Sequence, residues 1–327
     1  MQAPETLPSQ TRSFIRGLYN LRTWHKGCVA TIGSFDGAHL GHQAVLRQLI
    51  AVAQQHQLPA VAIVFEPQPH EFFSGDKAPA RLMRLREKVQ ALLAAGVNRV
   101  LCLQFNHELR NLSADAFIEK VLVNGLGIKH LVVGDDFRFG CDRRGDFALL
   151  QQAGARFGFD VSDSVTLSVD GERVSSTRIR QLLEAGDFTG AEKLLGHPYI
   201  INGRVAYGKQ LGRQLGVPTA NLHLRRYRSP LHGVFAVTAT FRDGSVHQGV
   251  ANIGVRPTVN GVSKPLLEVH LFDFSRMVYG EMIDVSFHKK LRDEKKFASL
   301  DELRAQLHSD IEQGKAFFAA ANNIAPN

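Results

Sequence analysis

Gly33-Ser34-Phe35-Asp36-Gly37-Ala38-His39-Leu40-Gly41-His42 decides the reading of this chain. The apolar run before it, Cys28-Val29-Ala30-Thr31-Ile32, reads as a buried strand. The segment after it, Gln43-Ala44-Val45-Leu46-Arg47-Gln48-Leu49-Ile50, reads as an amphipathic helix. Two histidines three residues apart at such a handover share one helix face. A helix N-terminus offers free backbone N–H groups and partial positive charge, both of which favour phosphate. The glycines let the backbone approach a ligand closely. The stretch therefore suits the phosphates of a nucleoside triphosphate.

Outward from this point, the first 195 residues alternate apolar runs with helical patterns. Strands are expected at Val29–Ile32, Ala60–Phe65, Arg99–Leu103, Leu131–Val133 and Val161–Leu167. Helices are expected at Gly41–Gln55, Leu85–Ala95, Ala114–Asn124 and Asp146–Phe157. This alternation predicts a mostly parallel sheet covered by helices, with ligands at the carboxyl ends of the strands. Both Gly33–His42 and Gly134–Gly140 fall at such ends. Short helical patterns follow at Ser176–Glu184 and Phe188–Leu195, and the style changes after Gly196-His197-Pro198. From Tyr199 to His288, short β-rich runs (Ile200–Val205, Gly233–Phe241, Val246–Ile253, Leu266–Phe272, Met282–Phe287) are separated by turns such as Asp243-Gly244 and Asn260-Gly261. That pattern predicts an antiparallel barrel or sandwich, with an amphipathic helix from Leu300 to Phe318 packed across it. The expected boundary lies near residue 190, giving domains 1–190 and 191–327.

Composition agrees with two globular domains. The chain has 327 residues, 44% of them hydrophobic, enough for sizeable cores. No apolar run approaches the ~20 residues of a membrane helix, and Met1–Gln10 lacks the apolar centre of a signal peptide. Cys28, Cys102 and Cys141 form neither a disulfide framework nor a metal cluster, so the expected location is cytoplasmic. The net charge of +8 fits anionic substrates such as nucleotides. Its dispersal along the chain argues against nucleic acid as a partner.

His39 and His42 could act as zinc ligands, but no third ligand stands at a useful spacing. They could also act as general bases, as donors to phosphate oxygens, or as plain surface histidines. Gly33, Asp36, Gly37 and Gly41 around them favour a functional role. In Ser175-Ser176-Thr177-Arg178-Ile179-Arg180, hydroxyls and cations open a helix, which suits phosphate or an N-cap or both. Arg178 and Arg180 are expected to point to different sides. Phe65-Glu66-Pro67-Gln68-Pro69-His70-Glu71-Phe72-Phe73 reads as a rigid extended turn whose aromatics either hold a flat ring or fill a core. Phe137 and Phe139 carry the same two readings, and Asp135 and Asp136 are turn residues or nucleotide contacts.

In the second half, Gly203–Asn221 is glycine-rich and basic without P-loop spacing, so it reads as a phosphate loop or as a set of turns. Thr219 and Asn221 alternate on an extended segment and offer hard oxygen ligands for Mg²⁺. Glu268 and His270 share one strand face, where a carboxylate is either ion-paired or functional.

Taken in order, Gly33–His42, Phe65–Pro69, Gly134–Gly140 and Ser175–Arg180 resemble the adenylyltransferase module of the bacterial bifunctional riboflavin kinase/FAD synthetase family. His39 to His42 is similar to the HxGH motif of nucleotidyltransferases, with Ser34 where the family often has Asn. Gly212–Asn221 with its Pro-Thr-Ala-Asn ending, Asn252–Thr258, the Glu268 strand, Tyr279-Gly280 and Leu291–Glu294 resemble that family's kinase module. The resemblance runs from about residue 20 to about residue 315. It implies a Rossmann-like α/β nucleotidyltransferase domain followed by a six-stranded antiparallel β-barrel with a C-terminal helix. It also implies two ATP-dependent reactions: riboflavin to FMN in the barrel, then FMN to FAD with release of pyrophosphate.

The roles implied by the resemblance divide between the two halves. Glu268 would be the kinase base, Thr219 and Asn221 would hold Mg²⁺, and Gly208, Lys209, Gly212 and Arg213 would bind ATP. Arg292 would contact flavin or phosphates. In the first half, Gly33, Phe35, Asp36, Gly41, Asp136, Ser176 and Thr177 would bind ATP, and Pro67, Pro69, Phe73 and Phe139 would shape the flavin pocket. FMN brings a phosphate that is mostly dianionic, its second pKa being about 6, so it needs no base. His39, His42 and Arg180 are therefore expected to supply donors and positive charge to the departing pyrophosphate. ATP and the flavins are substrates and products, with no nucleic-acid or membrane partner. Competing readings are an adenylyltransferase for another phosphorylated small molecule, and a non-enzymatic flavin- or RNA-binding protein.

Overall fold

The computed structural model describes residues 12–141, 143–208, 216–256 and 264–324. The chain divides into two compact units, one from Met1–Pro79 with Met83–Ser175, the other from Ser176–Asn327 with Ala80–Leu82.

The first unit runs β1 (Ser13–Arg16), β2 (Cys28–Ile32), α1 (Leu40–Gln55), β3 (Ala60–Glu66), α2 (Pro69–Ser74), α3 (Leu85–Ala94), β4 (Arg99–Gln104), α4 (His107–Arg110), α5 (Ala114–Phe117), β5 (Ile128–Val133), α6 (Phe147–Phe157) and β6 (Asp160–Asp163), and closes with the small hairpin of β7 (Ser168–Val169) and β8 (Glu172–Arg173). Six strands form one sheet in the order β1-β4-β3-β2-β5-β6. Every pairing in it is parallel. Strand alternation then sends neighbouring residues to opposite faces. Cys28, Ala30 and Ile32 pack with Ile118, Val121, Leu122 and Leu150 on one face. Val29, Ala62 and Val64 pack with Leu46, Leu49 and Leu92 on the other. Burial on both faces explains the continuous apolar runs of β2, β3 and β4. From β2 the chain moves outward through β3 and β4, then returns to β5 on the other side of β2. The crevice at the carboxyl ends of β2 and β5 is therefore the topological switch point, where such sheets bind ligands.

Three local expectations differ from the structure. The segment after β3 is not an extended turn: it passes a cis Glu66–Pro67 bond and enters α2 with Pro69 in its first turn. Proline suits that position because its missing N–H would have no helical partner. The strand expected at Val161–Leu167 is shorter, ending at Asp163, and a separate small hairpin pairs Ser168–Val169 with Glu172–Arg173. The helix expected at Ala114–Asn124 exists, but it continues from α5 as π-helical turns over Ile118–Leu126.

The second unit contains α7 (Ser176–Ala185), α8 (Phe188–Leu195), the strands β9 (Ile200–Ala206), β10 (Ala220–His223), β11 (Gly233–Phe241), β12 (Val246–Arg256), β13 (Lys264–Leu271) and β14 (Met282–Arg292), and a C-terminal helix (Leu300–Ile324). The six strands close a barrel in the order β10-β13-β12-β11-β14-β9. All of its pairings are antiparallel. Leu222, Leu267, Val269, Ile253, Val237 and Val285 are buried along the strands. Phe188 of α8 sets its ring against Phe235 and Phe287, which ties the two leading helices to the barrel. Ala80–Leu82 joins this unit through backbone carbonyls, which accept from Arg180 Nε, Arg226 Nη1 and the Tyr199 hydroxyl.

Candidate active sites

In the first unit the loop leaving β2 is tightly wound. Phe35 (φ 46°), Gly37 (φ 86°) and Ala38 (φ 42°) all take left-handed backbone conformations. For Phe35 and Ala38 such a conformation costs energy that the surroundings must offset, a pattern that clusters at functional loops. His39 is the N-cap of α1, and its Nδ1 accepts from the His42 backbone N–H at 3.3 Å. That bond leaves Nδ1 unprotonated, so the ring proton of neutral His39 sits on Nε2 and can be donated. The two imidazoles stack with centroids 3.6 Å apart and planes 15° apart. Phe35 closes against His42 at 5.2 Å. His42 Nδ1 is buried without a hydrogen-bond partner in the protein. Burial first, and then the electrostatic influence of neighbouring His39 and Lys88, holds His42 well below the ordinary imidazole value of 6.5. His42 is thus neutral at pH 7.

Glycine at position 41 makes this arrangement fit, because a Cβ there would stand 3.2 Å from the His39 ring and 3.3 Å from the Val174 carbonyl. A Cβ at Gly33 would likewise meet the Phe35 ring at 3.0 Å. Asp36 is buried, and its Oδ1 accepts from the Met83 backbone N–H at 3.0 Å, tying this loop to the approach of α3. Asp136 is exposed and paired with Arg173 at 3.0 Å.

The carboxyl ends of β3 and β4 carry an aromatic cluster. Phe72 meets Phe73, Phe105 and His107 with centroids 5.4, 5.3 and 5.1 Å away. Phe65 meets Phe105 edge-on at 5.8 Å. Phe73 is exposed, and the Arg110 guanidinium lies over its ring. Phe139 behaves differently: it is buried in the core, stacked on Phe137 and tilted against Phe117.

In the second unit a cavity of about 280 Å³ lies between the barrel wall and the C-terminal helix. Thr219, Asn252, Glu268, His270 and Arg292 line it, with Leu307 and Asp310 from the helix. The register explains this grouping. Glu268 of β13 stands directly opposite Asn221 of β10 on one side and Asn252 of β12 on the other. Three polar side chains far apart in sequence therefore form one row across three strands, while Leu267 and Val269 turn to the opposite, buried face. Asn221 is buried, and its Nδ2 donates to the Thr219 carbonyl at 3.4 Å. Gly208 makes room for it, since a Cβ there would fall 2.8 Å from Asn221 Cγ. His270 Nδ1 bonds the Pro218 carbonyl at 2.9 Å, which anchors the turn that carries Thr219. Arg292 is held by a bidentate pair to buried Asp310, at 2.8 Å to Oδ1 and 2.7 Å to Oδ2.

Residues 21–178 match the FAD synthetase family, and residues 195–318 match the riboflavin kinase family. A bifunctional riboflavin kinase/FMN adenylyltransferase of Pseudomonas fluorescens is 53% identical over 93% of this chain and 97% of its own length. The proteins of that description from Haemophilus influenzae and Escherichia coli K12 are 51% and 50% identical, again over 93% of this chain and over 98% and 97% of their own. The chain belongs to the bifunctional riboflavin kinase/FMN adenylyltransferase family. A crystal structure described as a macrolide-efflux protein of Streptococcus pneumoniae is also similar, with a TM-score of 0.74 and 30% identity over 91% of this chain and 96% of that one. Among the described residues, no helix is long and apolar enough to cross a membrane.

The enzyme carries both domains of its family, a parallel-sheet FAD synthetase domain and a closed six-stranded kinase barrel with a C-terminal helix. Its substrates are riboflavin, FMN and ATP. Gly33, Phe35, Asp36, His39, Gly41 and His42 come together at the switch point, with Pro67, Pro69 and Phe73 on the segment after β3. Ser176, Thr177 and Arg180 open α7, in the other compact unit from the histidine pair. Lys209, Gly212 and Arg213 lie outside the described residues. Two contributors escaped the sequence reading. Lys88 is 1% exposed on α3, and Asp310 is 2% exposed on the C-terminal helix. Each falls on the apolar stripe of its helix, Lys88 four before buried Leu92 and Asp310 three after Leu307. A charge on that stripe was the available signal.

Proposed function

We propose that the barrel phosphorylates riboflavin with Glu268 as base, and that the α/β unit adenylylates FMN with His39 and His42 as neutral hydrogen-bond donors. What supports the first half is the Asn221–Glu268–Asn252 row under the cavity. A ribityl hydroxyl is a poor nucleophile, and a half-buried carboxylate flanked by two amides is suited to take its proton. Thr219 and Asn221 fit Mg²⁺ because both offer neutral hard oxygens beside that carboxylate, in a cradle that any side chain at Gly208 would fill. Bound there, Mg²⁺ would neutralise charge on ATP phosphate oxygens. Glu268 accepts the proton, Thr219 and Asn221 hold the nucleotide end, and the apolar helix side with Leu303 and Leu307 excludes water.

The second half rests on the stacked pair at the start of α1. FMN arrives ionised, so the barrier lies in bringing anions together and in charge growing on the leaving pyrophosphate. His39 Nε2–H and the first-turn backbone N–H groups of α1 meet that charge without gaining or losing protons. Phe73 and its neighbours supply flat apolar surface for a ring. The three cysteines are free, in keeping with a cytoplasmic enzyme.

The test incubates the enzyme and its variants with riboflavin, ATP and Mg²⁺ and separates the flavins by chromatography. Glu268→Gln is expected to stop FMN formation yet still convert added FMN to FAD. His42→Ala is expected to leave FMN accumulating without FAD. Equal loss of both activities in either variant would refute the assignment.

A further inference from the structure

At the end of the sheet opposite His39 and His42, three potential ligands converge. His56 caps the carboxyl end of α1. His130 lies on β5, and its register partner on β6 is Asp160. One ligand atom from each of these residues lies within 4.8 Å of the others. The His56 and His130 rings meet edge-on at 5.5 Å.

A second observation points to a ligand. His130 Nε2 bonds Ser162 Oγ at 2.9 Å. Its other nitrogen, Nδ1, is buried with no hydrogen-bond partner in the protein. When Nε2–H donates to the serine oxygen, Nδ1 keeps a bare lone pair. That is the arrangement of a metal-binding histidine, oriented from behind by a hydrogen bond on its far nitrogen. Ser162 stands two residues from Asp160 and so shares its side of β6.

We propose that His56, His130 and Asp160 form a binding site for a zinc-type divalent cation. Two imidazole nitrogens and one carboxylate oxygen are the donor set of zinc, and a water completes the tetrahedron. Bonds of about 2.0–2.1 Å place tetrahedral ligand atoms about 3.4 Å apart. His56 and Asp160 are both exposed, and rotation of their side chains closes the remaining gap. Mg²⁺ prefers oxygen ligands in octahedral geometry, so the cation used in catalysis does not compete here. The bound ion would pin the carboxyl end of α1 to β5 and β6, bracing the helix whose other end carries the catalytic histidines.

The test is calorimetric titration of the chelator-treated full-length enzyme with ZnCl₂, in the presence and absence of millimolar MgCl₂. One equivalent is expected to bind wild type and the Cys141→Ser control alike, whether or not Mg²⁺ is present. Ser162→Ala is expected to weaken binding roughly 10–100-fold. His56→Ala and Asp160→Asn, both at exposed positions, should weaken it more. In parallel, ZnCl₂ should raise the thermal midpoint of wild type in a concentration-dependent way and leave that of His56→Ala unchanged. The proposal is overturned if wild type takes up no equivalent, if His56→Ala and Asp160→Asn bind as wild type does, or if Cys141→Ser alone abolishes binding.

Discussion

Replacing Asp310 by Asn should cripple the kinase and spare the adenylyltransferase. Asp310 is 2% exposed and accepts from Arg292 Nε and Nη2 and from Gln306 Nε2, at 2.8, 2.7 and 2.9 Å. Removing one partner of a buried ion pair costs about 3–5 kcal/mol when the other is left without compensation. The Arg292 side chain is 21% exposed and can recover part of its hydration. The amide also keeps one acceptor. Both effects lower the cost to about 2–3 kcal/mol, near the value of one or two charge-assisted hydrogen bonds. In a unit of this size each kcal/mol moves the midpoint by about 2–4 °C, so the barrel transition should fall by about 4–12 °C. Scanning calorimetry reads this, with the barrel transition recognised by its upward shift on adding riboflavin. Below that midpoint, a loosened Arg292 in the cavity wall should lower kinase kcat/KM at least about tenfold, or about 1.4 kcal/mol of transition-state binding. FMN-to-FAD conversion should be unchanged. Because the residues couple, Asp310→Asn with Arg292→Gln should cost less than the sum of the two single changes. An unshifted barrel transition with full kinase activity would refute the reasoning.

Other substitutions separate fit from stability. Gly41→Ala adds a Cβ 3.2 Å from the His39 ring, so FAD formation should fall about tenfold, while the thermal midpoint holds or rises because alanine favours the helix. Gly208→Ala crowds Asn221 and should lower riboflavin phosphorylation by a similar factor with FMN adenylylation intact, as flavin chromatography would show. His42 is held well below 6.5 by burial first, so between pH 6.5 and its lower folded value the unfolded chain takes up a proton that the folded chain refuses. Stability contributed at neutral pH is therefore lost as pH falls through that window. Thermal midpoints measured from pH 7.5 to 5 should drop more steeply for wild type than for His42→Asn.

Much of the fold was legible because both faces of the parallel sheet are buried. Cys28–Ile32, Ala60–Glu66 and Arg99–Gln104 show as largely apolar runs, with polar residues mainly at their ends, for that reason. β1 was not legible: it is four residues long at the sheet edge, with exposed Phe14 and arginine among them. β10 is also four residues long, and its strand character comes from pairing with β9 and β13 rather than from its own sequence. The site residues divide along the same line. His39, His42, Thr219, Asn221 and Glu268 sit in local patterns that carry their own chemistry. Lys88 and Asp310 carry only the weaker signal of a charge on the apolar stripe of a helix, which shows as buried only once the fold covers it. The opposition of Glu268 to both asparagines is a fact of register between strands distant in sequence, and no local pattern encodes it.

The geometry alters one part of the chemical expectation for the histidine pair. The sequence reading assigned them donors and positive charge together. Two imidazolium ions stacked with centroids 3.6 Å apart would repel by about 4–5 kcal/mol at an effective dielectric of about 20. Their burial adds a desolvation cost to any charge. The His42 N–H bond to His39 Nδ1 already commits one ring to the neutral tautomer. On the proposed function, the pair would supply directed N–H groups rather than net charge, with positive potential left to the amino end of α1. This division suits the reaction. A fixed cation would bind substrate ATP and leaving pyrophosphate alike, whereas a donor aimed where charge grows favours the transition state over the ground state. On the same proposal the barrel would meet the opposite problem with opposite means: a neutral hydroxyl nucleophile would face a carboxylate, Glu268, able to accept its proton.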